Sequence, residues 1–173
     1  MKILRILIML VVGVLATATA AKADQIRALL TGYEETPAAV STTGRGEFVA
    51  VIDNDGDTIH YRETFSGLQG SVTQSHIHVG QLSITGSIVI FLCQTASNPD
   101  PTGLAPQCPQ QGTVSGTITA ANVIAGSQAP QQLAAGDLAA VITAIRAGAA
   151  YANVHSDKSP GGEIRGQIRT VGK

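Results

Sequence analysis

Eight short stretches in which apolar and polar residues alternate, each bounded by Gly, Pro, Asn or Asp, constrain this chain more than anything else in it. Side chains on an extended strand point to opposite faces in turn, so such alternation is the pattern of a strand buried on one side only. The stretches fall near 25–31, 45–53, 57–65, 72–79, 86–93, 112–119, 150–155 and 162–170. Asp53-Asn54-Asp55-Gly56-Asp57 joins the second to the third as a tight hairpin, with Asp55-Gly56 tolerating positive φ. The same run is no EF-hand calcium loop, because its glycine is misplaced and the distal bidentate glutamate is missing. Leu138, Val141, Ile142 and Ile145 recur at helical spacing between Asp137, a capping residue, and Gly148, a helix stop, which predicts one helix from about Asp137 to Ala147. A second short turn is expected after Thr119. Many short strands and one crossing helix imply an all-β, antiparallel two-sheet sandwich or flattened barrel.

The first residues speak to location. Lys2 and Arg5 precede the apolar run Ile6–Leu15, and Ala21-Lys22-Ala23 supplies a small-residue cleavage site before Asp24. Residues 1–23 are therefore read as a secretory signal peptide, and residues 24–173 as one domain, secreted or held in the periplasm or cell envelope. The apolar run is short for a bilayer span, so no stable membrane anchor is expected after cleavage; a retained signal anchor is the alternative. Removing Lys2, Arg5 and Lys22 from 11 basic side chains leaves 8 against 12 acidic ones, a net charge of −4. That balance, with aromatics at 3% and no Trp, excludes a nucleic-acid footprint and leaves a protein or small molecule of unknown identity as partner. Cys93 and Cys108 make an even count in an exported chain, which predicts a disulfide closing the Pro-rich loop between them.

Histidine is scarce, with four residues in all, and three of them fall in two strand-like segments. His76 and His78 share a face about 6.5–7 Å apart along an extended strand. If the strand carrying His155 lies alongside, the three nitrogens form a site of the kind that suits copper or zinc. The alternative stays open: the rings hydrogen-bond to carbonyls or to Asn153 and hold strands in register without an ion. His60 shares a face with Thr58, Arg62 and Thr64 and is expected to point to solvent.

Seven motifs in order then carry a family likeness: Leu30-Thr31-Gly32-Tyr33-Glu34-Glu35-Thr36-Pro37, Ile59-His60-Tyr61, Phe65-Ser66-Gly67-Leu68, Ser75-His76-Ile77-His78-Val79-Gly80, Ile145-Arg146-Ala147-Gly148, Tyr151-Ala152-Asn153-Val154-His155-Ser156 and Gly161-Gly162-Glu163-Ile164-Arg165-Gly166-Gln167-Ile168. Together they resemble the CHRD domain, repeated in animal chordins and single in exported bacterial proteins. The resemblance covers nearly all of residues 24–173 and implies an extracellular all-β module with a binding or structural role rather than an enzyme. Glu63 departs from the pattern, standing among Ile59, Tyr61 and Phe65 where an apolar residue is expected. It is read either as exposed at a sheet edge or as an acceptor orienting the histidine site from behind.

A fainter likeness is to copper/zinc superoxide dismutases, with their Greek-key sandwich. His-Ile-His on one strand and Val-His before a glycine-rich turn is similar to that family's order of copper ligands, which implies copper on His76, His78 and His155 as the alternative function. The bridging histidine and zinc cluster of that family are missing, so dismutation is not implied. Glu163 and Arg165 share a face, where a surface ion pair with Glu34 or Glu35 is expected. Ser75 and Ser156 flank histidines but no nucleophile elbow is present, so a hydrolase ranks last.

Overall fold

The computed structural model describes residues 23–172. The alternation appears as nine strands: β1 (Asp24–Thr31), β2 (Arg45–Ile52), β3 (Ile59–Ser66), β4 (Val72–Val79), β5 (Ser87–Cys93), β6 (Gly112–Ile118), β7 (Ala150–Ser156), β8 (Ile164–Gln167) and β9 (Arg169–Thr170). In β3 the period is exact, with Ile59, Tyr61, Glu63 and Phe65 buried and His60, Arg62 and Thr64 exposed. The last expected strand is split into β8 and β9 at Ile168, whose N–H donates to Ala150 O at 2.9 Å. The Asp53–Asp57 run is the expected turn: Gly56 has φ +76° and donates to Asp53 O at 3.0 Å. The one α-helix among the described residues, α1 (Leu138–Arg146), is capped by the Asp137 carboxylate accepting from Ala140 N at 2.9 Å. Gly148 ends it at φ +71°.

The strands pair antiparallel in one continuous sheet, in the order β5-β4-β7-β8-β1-β2-β3-β6, with β9 added on β1. The all-β antiparallel architecture with one helix is as expected. The division into two sheets is not what the hydrogen bonding presents, because the ladder runs unbroken from one end strand to the other and curls into a nearly closed barrel. Three links tie β5 to the β3–β6 end of the ladder: Tyr61 Oη donates to Leu92 O at 2.6 Å, Ile90 bridges to Val123 just past β6, and Cys93 is bonded to Cys108. The interior is filled from all sides by Ile26, Phe48, Ile59, Phe65, Ile77 and Val154, among others, and Val141, Ile142 and Ile145 of α1 pack against it.

Three neighbouring strands break the half-buried pattern. All seven residues of β7 are buried, as are Ser75–His78 of β4 and Ile164–Gly166 of β8. Their outward face is covered by the connection from Gly80 to Gly86 and by the turn before β8. Gln167 donates to Gly80 O at 3.0 Å, Arg165 to Gln81 O and Ile84 O at 3.2 and 3.0 Å, and Gly86 N to Tyr151 Oη at 3.1 Å. The three clustered histidines lie buried beneath this cover.

Candidate metal centre

Strand register brings the three predicted histidines together. In the β4–β7 ladder Gln74 stands opposite His155, His76 opposite Asn153 and His78 opposite Tyr151, and cross-strand partners share a face. His155 therefore lies diagonal to His76 on the side where His76 and His78 already point, while Ile77 and Val154 face the core. The ring centroids of His76 and His155 are 4.9 Å apart, those of His76 and His78 5.5 Å, and those of His78 and His155 6.0 Å. Each ring offers a nitrogen within 4.8 Å of the other two, and exposures are only 0%, 6% and 5% for His76, His78 and His155.

The nitrogens can be sorted by their partners. His155 Nδ1 lies 2.9 Å from Pro160 O, and His78 Nδ1 lies 3.1 Å from Gly86 O. A carbonyl only accepts, so each Nδ1 carries its ring's proton and each Nε2 is left with a lone pair. His155 Nε2 therefore accepts from His76 Nδ1 at 3.2 Å, which leaves the His76 Nε2 as that ring's lone-pair nitrogen. The Nε2 atoms of His76 and His78 are buried with no hydrogen-bond partner. A ring anchored through one nitrogen and bare at the other, as His76 and His78 are, is the arrangement that metal-binding histidines show. Scaffolding accounts for the three Nδ1 bonds and leaves the bare Nε2 atoms of His76 and His78 unexplained, since burying an unpaired polar atom costs about 1–3 kcal/mol.

Burial also sets the charge state. It holds His78 down to about 3 against the carbonyl of Gly86, and holds His76 well below the usual imidazole range with help from its two neighbouring rings. His155 is likewise lowered by burial. The cluster is three neutral imidazoles, the form that ligates a metal.

Around it stand Tyr151, Arg165 and Phe91, none of them among the expected site residues. Tyr151 stacks on His78 with centroids 4.6 Å apart and planes 9° from parallel, and the Arg165 guanidinium carbon sits 3.5 Å from the Tyr151 centroid. Phe91 packs edge-on to His76 at 4.3 Å. Tyr151 lies four residues before His155, so its shared face was legible; Phe91 belongs to a strand with register shifts against β4 and was not.

The two expected supporting residues take other positions. Asn153 Nδ2 donates to Glu35 Oε1 at 2.6 Å and to Ile164 O at 3.0 Å, beside the imidazoles without bonding one. Glu63 is not at an exposed edge: it is fully buried, on the core side of the sheet, with Oε2 2.6 Å from Ser75 Oγ, and it hydrogen-bonds no imidazole. Burial pushes its carboxyl up to about 8, against the Ser75 hydrogen bond. Burial likewise raises Glu35 to about 7, opposed by Asn153 and Arg165.

The expected surface ion pair of Glu163 or Arg165 with Glu34 or Glu35 is corrected. Both side chains are buried, at 1% and 2% exposure, and neither is in a salt bridge among the described residues. Glu163 instead accepts from Thr42 Oγ1, Gln69 N and Ser156 Oγ at 2.6, 2.6 and 2.5 Å. Burial alone would raise its carboxyl, yet these bonds together hold it below the usual range. His60 is exposed, as expected, 3.4 Å from Asp53. The Cys93–Cys108 disulfide is formed, with Cα atoms 4.9 Å apart.

A model of the CHRD domain matches residues 26–168, a span that contains all three clustered histidines and both cysteines. No curated protein and no solved structure matches the chain.

Proposed function

We propose that this chain, which belongs to the CHRD-domain family, is an exported module that holds one copper ion on His76, His78 and His155. The observation that carries the reading is the pair of buried, unpartnered Nε2 atoms of His76 and His78 within a three-ring cluster that also presents His155 Nε2. A bound ion would accept those lone pairs and supply the interaction that the buried nitrogens otherwise lack. The protein's own part is to fix the rings: the carbonyls of Gly86 and Pro160 set two tautomers, Tyr151 and Phe91 hold two ring planes, and the Gly80–Gly86 connection keeps water out. Export is supported by the disulfide, which suits an oxidising compartment, and by the signal-like residues 1–23, which lie outside the described residues except for Ala23. No helix among the described residues is long and apolar enough to cross a membrane.

The test is calorimetric titration of chelator-stripped protein with copper, alongside His78→Gln and His155→Gln. One equivalent should bind with a rise in melting temperature, and either substitution should weaken binding by at least about 100-fold. Saturation with no heat and no thermal shift would leave the histidines as scaffolding.

A further inference from the structure

We propose that the three-histidine centre selects a monovalent soft ion, Cu(I), over Cu(II) and Zn(II). This rests on the copper reading above and adds the oxidation state and the discrimination against zinc.

The first observation is the charge of the ligand set. Among the described residues the cluster consists of three histidines with no carboxylate or thiolate in it, and both cysteines are consumed in the disulfide. Neutral ligands leave the ion's full charge in place. The second is burial: the cost of taking an ion out of water grows with the square of its charge, so a dication bears about four times the penalty of a monocation in the same dry site. Exposures of 0%, 6% and 5% make that term count.

The third is the sign of the surrounding field. Arg165 lies over Tyr151, which is stacked on His78, and its hydrogen bonds go to Thr36 Oγ1, Gln81 O and Ile84 O, all neutral acceptors. A fixed cation thus stands one aromatic ring away from a ligand. Glu35 and Glu34 offset that charge only from the Arg165 side, Glu35 being held by Asn153, and Glu63 lies on the opposite side of β4, bound to Ser75. Tyr151 presents its ring to His78 and its oxygen to Gly86 N, so no phenolate is offered as an anionic ligand.

The experiment uses the full-length, chelator-stripped protein under oxygen-free conditions. Cu(I) is titrated in competition with bicinchoninate, and Cu(II) and Zn(II) are titrated separately against their own chelators. One equivalent of Cu(I) should bind at least about 100-fold more tightly than either dication. Gln74→Glu, which puts a carboxylate opposite His155 in the β4–β7 ladder, should tighten Zn(II) more than Cu(I) and narrow that ratio at least about fivefold. Equal or tighter binding of Cu(II) or Zn(II) would overturn the selectivity and leave the metal site standing, and an unchanged ratio in Gln74→Glu would overturn its electrostatic basis. Failure of all three ions to bind would overturn both readings.

Discussion

Glu63 makes the sharpest test of how this barrel manages a buried acid. Its carboxyl is fully enclosed, with Oε2 2.6 Å from Ser75 Oγ, and Ser75 Oγ is also 3.0 Å from Asn153 O. Ser75 has one proton to give. When Glu63 is ionised, that proton turns to the carboxylate; when Glu63 is protonated, its O–H can donate to Ser75 Oγ, which then donates to the Asn153 carbonyl. The neutral acid therefore completes a chain that the anion cannot. With burial pushing the carboxyl from its ordinary 4.5 up to about 8, the folded protein prefers the protonated form over a gap of about 3.5 pH units. At about 1.4 kcal/mol per unit the whole gap corresponds to about 5 kcal/mol. The folded pKa is raised, so this stability is fully present below about pH 4.5 and is lost as pH rises through about 8. Glu63→Gln keeps the shape and a donor to Ser75 while removing the titration. Urea unfolding of metal-free protein at pH 5 should give midpoints within about 0.5 M of each other for the two proteins. At pH 9 the wild type should fall below the variant by roughly 2 M, taking a slope of about 2 kcal/mol/M. The difference between the two proteins cancels the contributions of Glu35 and of the histidines. Midpoints that move in parallel from pH 5 to pH 9 would refute the argument.

The imidazoles titrate in the opposite sense: lowered by burial, they stabilise the metal-free fold fully above the ordinary pKa of 6.5, and that contribution is lost as pH falls from there toward about 3 for His78. Chemical denaturation should show His78→Gln losing less stability than wild type between pH 7 and pH 4.5. Reducing Cys93–Cys108, separated by 15 positions, should lower stability by about 3 kcal/mol in the same assay, and an unchanged midpoint would show that the loop is held by its other contacts. Gly86→Ala should cost more than about 2 kcal/mol and weaken copper binding, because a Cβ there would collide with Val79 O and displace the carbonyl that anchors His78. Asp137→Ala should cost about 1 kcal/mol by removing the helix cap, read as a lower melting temperature with copper binding unchanged.

Strand positions were legible because the signal is local: alternation, a helical spacing and the Asp53–Asp57 turn run each depend on neighbours in sequence. His76 and His78 could be placed on one face for the same reason. Closure of the sheet was not legible, because the links that bring β5 to the β3–β6 end of the ladder, such as Tyr61 Oη on Leu92 O, span distant parts of the chain. Glu163 and Arg165 read as surface charges since nothing near them in sequence reveals the loops that bury them. Their partners Thr42, Gln69, Gln81 and Ile84 come from connections 81 to 121 residues away along the chain.

The sequence by itself determined an all-β chain with one capped helix, a stapled loop and a His-Ile-His pair on one side of a strand, since pleat, helix pitch and capping act over a few residues. Tertiary structure decided which strand lies beside that pair, that the shared face is roofed over, and that Glu63 faces the core. Pairing register is a long-range choice made by the whole interior at once, and only that choice turns three scattered imidazoles into neutral, dry and partly unpartnered neighbours.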